Sequence, residues 1–149
     1  MLTIIKEPDD FLHGPCVPVD PSTLSADANS ESWQFLKKFA DTVLAHPSCL
    51  GLAANQVGFN TRIICMKADG ELLLLINPEV TNWGKHTELG EEGCMSCPGV
   101  KKVVRRYKRV TVNYLNYAGQ PKTYTFNKLS ARIFQHELDH LNGITLVGG

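Results

Sequence analysis

The stretch FQHELDHLNG, Phe134 to Gly143, sets His136 and His140 four residues apart and places Glu137 directly after the first histidine. On a helix, residues i and i+4 share one face, so two imidazoles at this spacing converge on one metal ion with the glutamate beside it. The pattern is H-E-x-x-H. It points to a metal hydrolase, in which the ion lowers the pKa of a water and Glu137 accepts its proton. The competing reading is a charged helix face carrying two solvated histidines. Two histidines, a glutamate, the right spacing and a helical context coincide here, which favours the metal.

The flanking residues supply the helix. Leu129, Ile133, Leu138 and Leu141 recur at helical spacing, with Asn127 as an N-cap and Gly143 as the stop. This predicts a helix of roughly four turns. A metal site needs a further protein ligand, yet LNGITLVGG after His140 contains no His, Cys, Asp or Glu. The thermolysin-like plan, with a carboxylate from a later helix, therefore fails. So does the metzincin plan, whose last histidine position is Leu146 here.

The missing ligand must lie upstream. His13, His46 and His86 have no supporting pattern and read as ordinary surface or loop residues. In EEGCMSCPG, Cys94 and Cys97 sit in a Gly- and Pro-punctuated stretch between two predicted strands. One cysteine makes an open, catalytic Cys-His-His site. Both make a closed, structural Cys2His2 site, the basis of a partner-binding zinc module. Glu137 favours the open site, because a structural zinc has no use for a general base.

The remaining chain sets the frame. At 149 residues it is long enough for one domain with its own core. Fifteen acidic and fifteen basic residues balance, which argues against a nucleic-acid or anionic-membrane partner. No apolar run approaches the roughly 20 residues of a membrane span. Neither does MLTIIKEPDD have the apolar length of a signal peptide. Five cysteines, an odd number, fit a reducing compartment, so a cytoplasmic location is expected.

Residues 6–30 are rich in Pro, Asp and Ser and are expected to form an extended arm or loop. SESWQFLKKFADTVLAHP places Trp33, Leu36, Phe39, Ala40, Val43 and Leu44 on one helical stripe ended by Pro47. Strands are expected in RIICM, in LLLLINPEV and across residues 100–126, with NYAGQP as a hairpin turn. The basic run KKVVRRYKR reads as the solvated face of a strand. The expected fold class is α+β, a single domain over 1–149 with short antiparallel sheets around a central H-E-x-x-H helix. CLGLAANQVG, Cys49 to Gly58, reads as a loop of small residues that allows close backbone approach. Its Gln56 can offer an amide donor to a reacting carbonyl.

CLGLAANQVG, EEGCMSCPG and QHELDH, in this order and at these separations, resemble the three signature motifs of peptide deformylase. The likeness runs from the arm nearly to the C-terminus. The resemblance implies that Cys94, His136 and His140 bind the metal and that Glu137 is the general acid/base. Gln56 and the Met95 backbone N–H would form the oxyanion site. Gly51 would bind the substrate backbone. Leu50, Leu129 and Ile133 are candidates for the methionine pocket, with core packing as the rival reading, and Gly93 is a further candidate substrate contact. Arg132 stands one helical turn before His136, where an unpaired cation would oppose metal binding, so it is expected to lean away, to pair with a carboxylate or to cover the rim of the pocket; an ordinary exposed arginine is the alternative. The resemblance also implies Fe2+ in the cell, replaced by Zn2+, Ni2+ or Co2+ in preparations. The implied substrates are N-formylmethionyl polypeptides, which yield formate and a free amino terminus. A different amide hydrolase on the same scaffold is the alternative.

The chain departs from the family pattern at Cys49, usually glycine, and at Cys97, usually aliphatic. Most bacterial members continue into a C-terminal helix linked to ribosome contact. This chain stops nine residues past His140, as phage-encoded forms do, which leaves ribosome contact without its usual element.

Overall fold

Ile64, Met66 and Ala68 belong to one buried cluster, while Ile63 and Cys65, the alternate residues of strand β2 (Ile63–Ala68), belong to another. A strand sends successive side chains to opposite faces, so this apolar segment serves two cores at once. The computed structural model describes residues 1–148. In it, β2 lies inside a five-stranded antiparallel sheet and is covered on both sides.

The other strands are β1 (Gly51–Ala53), β3 (Glu71–Asn82), β4 (Thr87–Cys94), β5 (Cys97–Tyr107), β6 (Arg109–Leu115) and β7 (Pro121–Asn127). The large sheet runs β1-β2-β3-β6-β7, and β4 with β5 forms a separate antiparallel ribbon. Asp69 and Gly70, at φ +51° and +77°, make the β2–β3 turn, matching the left-handed pair of a tight hairpin. The expected β6–β7 hairpin turns through Asn116–Gln120, closed by the Asn116 N–H donating to the Gln120 carbonyl at 3.0 Å.

Two helices cover the sheet. Helix α1 (Glu31–Ala45) brings Leu36, Phe39 and Val43 against Ile63, Cys65 and Ile76. Its Ser30 N-cap accepts from the Trp33 N–H at 3.1 Å, and it ends two residues before Pro47. The predicted stripe is corrected at one end: Leu44 is exposed and Thr42 is buried instead. The Thr42 hydroxyl bonds back to the Lys38 carbonyl and accepts the Leu2 N–H, both at 2.8 Å, so its polarity is satisfied inside the core.

Helix α2 (Lys128–Leu141) packs Ala131, Ile133, Phe134 and Leu141 against the other sheet face, with Phe134 stacked on Phe126 at 5.2 Å. Asn127 is its N-cap, as expected, but the bond there is made by Ser130 Oγ accepting from the Asn127 N–H at 3.2 Å. Gly143 follows the helix at φ +78°, and a Cβ there would lie 2.6 Å from the His13 carbonyl oxygen. Two constraints thus demand glycine. The Leu141 carbonyl is met by the Cys16 N–H at 2.8 Å and by Arg62 at 3.2 Å, a cation at the negative helix end.

The architecture is the expected α+β single domain with antiparallel sheets around the H-E-x-x-H helix. Three local readings are revised. Cys49–Gly58 is not simply a loop, since it contains β1 and a 3-10 turn at Ala54–Val57. EEGC belongs to strand β4, leaving Met95 and Ser96 as the ribbon's two-residue turn. In the basic run, Arg106 turns inward into ion pairs while Val103 is exposed. Among the described residues, no helix is long and apolar enough to cross a membrane.

Candidate metal centre

His136 and His140 stand on successive turns of α2, and the end of β4 delivers Cys94 to the same point. His140 Nε2 lies 3.2 Å from His136 Nε2 and 3.3 Å from Cys94 Sγ. A tetrahedral ion with Zn–N near ~2.0–2.1 Å and Zn–S near ~2.3 Å separates its ligand atoms by roughly 3.3–3.6 Å. The donor set and its spacing fit a divalent metal. Two of its members, His136 and His140, are buried.

The two imidazoles are shifted in opposite directions. Burial opposes the charged form of His136, but bonds to Cys94 and Glu92 outweigh it and raise the group to about 10. Burial, reinforced by the charge on His136, holds His140 down at about 3. Cys97 pairs with Cys94 across the ribbon but is not part of the ligand cluster. Burial pushes its thiol up to about 11, with the neighbouring Cys94 adding to the effect.

Behind His136 lies a carboxylate that the sequence reading passed over. Glu92 Oε1 is 2.9 Å from His136 Nδ1, which orients the ring with Nε2 toward the ligand cluster. Arg106 grips both Glu92 oxygens, at 2.9 and 3.0 Å, and Arg132 adds a bond at 2.7 Å. Burial alone would raise Glu92. The bonds from His136, Arg106 and Arg132, together with the Arg106 charge, bring it instead to about 2. Arg106 also pairs with Asp139 at 2.6 Å. The only sequence signal for this network was an acid two residues before the candidate cysteine.

Arg132 takes the carboxylate-paired option. Its guanidinium reaches Glu92 and the carbonyls of Val104 and Glu88, at 2.7, 2.9 and 3.0 Å, rather than solvent. Gly90 makes room for it, because a Cβ there would lie 2.8 Å from Arg132 Cζ. The pairing offsets a positive charge that, left alone, would oppose an ion at the cluster.

A cavity of about 360 Å3 opens beside the cluster. Its walls include Cys94, His136, Glu137, Gln56 and Met95, and the candidate substrate contacts Leu50, Gly51, Gly93, Leu129, Arg132 and Ile133. His140 lies deeper and does not line it. Glu91 and Lys101 also line the cavity, as charged groups that sequence patterning did not single out. His13 and His46 are engaged elsewhere, with Glu7 and the Thr42 carbonyl.

Glu137 is buried on the cavity wall, and its Oε1 has no hydrogen-bond partner. Burial pushes its carboxyl up to about 7 against the opposing effect of His136. β1 packs directly on it: a Cβ on Gly51 would lie 3.1 Å from Glu137 Oε2, Ile133 Cγ2 and Met66 Cβ. The glycine therefore reflects a close approach of backbone to carboxylate.

Comparison with known proteins points to one family. The polypeptide deformylase family model matches residues 1–148. The peptide deformylase of Syntrophomonas wolfei is 37% identical over 144 residues, covering 97% of this chain and 90% of that protein. The class I type b peptide deformylase of Acinetobacter baumannii superposes with a TM-score of 0.90 at 34% identity, covering 98% of this chain and 97% of its own. A Met-Ala-Ser-bound structure of the class I type b enzyme from that organism gives 0.85 at 31% identity, covering 98% and 96%. With a cysteine and two histidines converging beside a buried carboxyl on this fold, and with the family model spanning residues 1–148, the chain belongs to the peptide deformylase family.

Proposed function

We propose that this chain hydrolyses the N-formyl group of formylmethionyl polypeptides. The supporting observation is the convergence of Cys94, His136 and His140 next to the unpaired, buried Glu137, on the wall of a cavity bordered by β1. Cys94, His136 and His140 hold a divalent metal, which is Fe2+ in the cell and is replaced by Zn2+, Ni2+ or Co2+ in preparations. Thiolate and imidazole donors suit this group of ions. When bound, the ion supplies Lewis acidity and lowers the pKa of a water.

The chain's own residues do the rest. Glu137 takes a proton from the attacking water and passes it to the departing amine, so that the formyl C–N bond breaks and formate leaves. Gln56 Nε2 and the Met95 N–H meet the charge that develops on the formyl oxygen. β1 is an edge strand of the sheet, so an extended peptide adds to it as a further strand near Gly51. Leu50 and Leu129 flank the cavity mouth and Ile133 lies deeper, giving the methionine side chain an apolar seat. Gly93 and Arg132 also line the cavity.

The test is release of formate from formyl-Met-Ala-Ser by protein purified without oxygen, with bound metal measured in parallel. Turnover that depends on the bound metal is expected. Metal-loaded protein that leaves formyl-Met peptides intact while cleaving another amide overturns the substrate assignment.

A further inference from the structure

The side-chain amide of Gln56 is held in a network that has only one arrangement of donors and acceptors. Gln56 and Ser96 are both buried, 1% and 0% exposed. The Ala53 N–H lies 2.9 Å from Gln56 Oε1 and can only donate, so it fixes which end of the amide is oxygen. Nε2 lies 3.0 Å from Ser96 Oγ. Ser96 carries one hydroxyl proton, and a carbonyl, that of Ile5, stands 2.6 Å away and can only accept it. Ser96 must therefore accept from Gln56. The second Nε2 proton is left pointing toward Cys94 Sγ at 3.7 Å, into the metal cavity.

The N-terminal arm closes this network. The Ile5 N–H donates to the Gln56 carbonyl at 2.6 Å, and the Glu7 N–H donates to the Ser96 carbonyl at 2.8 Å. Residues 5–7 thus tie the segment that carries Gln56 to the ribbon turn Met95–Ser96. The two candidate oxyanion donors sit beside separate sheets, Gln56 in the 3-10 turn after β1 and Met95 in the β4–β5 turn, and the arm bridges the two segments.

We propose that Ser96, anchored by the Ile5 carbonyl of the N-terminal arm, is a positioning residue that locks the Gln56 amide with one N–H aimed at the reacting carbonyl oxygen. This rests on the deformylase reading above. Replacing Ser96 by alanine leaves a Gln56 proton and the Ile5 carbonyl unpaired in a buried site, and the amide is then held at its oxygen end alone, by the Ala53 N–H. Ser96 itself does not touch substrate, so its effect passes through Gln56.

A double-mutant cycle on formyl-Met-Ala-Ser hydrolysis tests this. Wild-type turnover checks the deformylase reading independently. Ser96→Ala is expected to lower kcat on the order of 10- to 100-fold, with KM and metal content within about twofold of wild type. In the Gln56→Ala background the same substitution should change kcat less than about twofold. Equal losses in both backgrounds, or an unchanged kcat in Ser96→Ala, overturn the proposal. A readout without any change at Ser96 guards against misfolding of the variant. In 15N-labelled, zinc-loaded wild-type protein, the Gln56 side-chain amide should give two distinct proton signals in slow exchange with water. Rapidly exchanging protons there overturn the proposal as well.

Discussion

Glu92 Oε1 lies 2.9 Å from His136 Nδ1, and the same carboxylate is clamped from the other side by Arg106 and Arg132. The carboxylate thus transmits the rigidity of the β4–β5 ribbon to a candidate metal ligand on α2. Glu92→Ala is expected to weaken metal binding by roughly 10- to 100-fold, because His136 loses its orienting partner. It also leaves the largely buried Arg132 without a carboxylate and Arg106 with Asp139 alone, with an expected stability loss of about 3–5 kcal/mol. Chelator competition and urea unfolding measure the two effects. Unchanged metal affinity would show that His136 needs no such support.

Glu137→Gln keeps the side chain's shape and removes the base. Metal content should stay at the wild-type level while kcat falls by roughly 10²–10⁴. Metal analysis and formate release on the same preparation decide the matter, and a mutant of comparable activity removes Glu137 from the assigned role.

The paired cysteines separate the open site from the closed one. Cys94→Ser should strip or cripple metal binding. Cys97→Val should leave metal content and turnover largely intact, at a stability change below about 1.5 kcal/mol for a buried swap of similar volume. Equal metal loss in both variants would point to a four-ligand structural site.

Gly51→Ala introduces a Cβ 3.1 Å from Glu137 Oε2, Ile133 Cγ2 and Met66 Cβ, so at least one neighbour must shift by a few tenths of an ångström. The expected cost is about 1–3 kcal/mol in stability. Activity should fall on the order of tenfold as the carboxylate is displaced. Thermal melting and kcat/KM read the two consequences, and wild-type values for both would mean the strand yields freely.

Alkaline pH should destabilise the fold through Cys65. Burial raises this thiol from 9.0 to about 12, with Cys49 and Glu137 adding and Lys67 opposing. A folded pKa above the unfolded one means that the native state holds the proton more tightly. The stabilisation is complete below pH 9 and is lost as pH rises from there toward 12, by up to about 1.4 kcal/mol per unit. Urea midpoints at pH 8, 9 and 10 should decline less steeply in Cys65→Val. Parallel declines would place the alkaline sensitivity elsewhere.

The sequence by itself determined the features carried by local spacing. The interval between His136 and His140 needs only a helix to become a shared face, and the apolar period with Asn127 and Gly143 specified that helix and its limits. Residues 62–66 and 72–80 were legible as strands for the same reason, since an apolar run of that length next to a turn has few other solutions. Spacing left Cys94 and Cys97 alike and the family resemblance favoured Cys94; the tertiary structure shows how the β4–β5 turn brings that thiol, and not Cys97, to the histidines. It alone brought Glu92 to His136 across 44 positions and Ser96 to Ile5 across 91. It also turned Arg106 inward, against the reading of a solvated basic strand, and gave Arg132 its partner in Glu92. Buried charges and hydroxyls follow partners supplied by distant segments, and a one-dimensional pattern carries no record of which segments will meet.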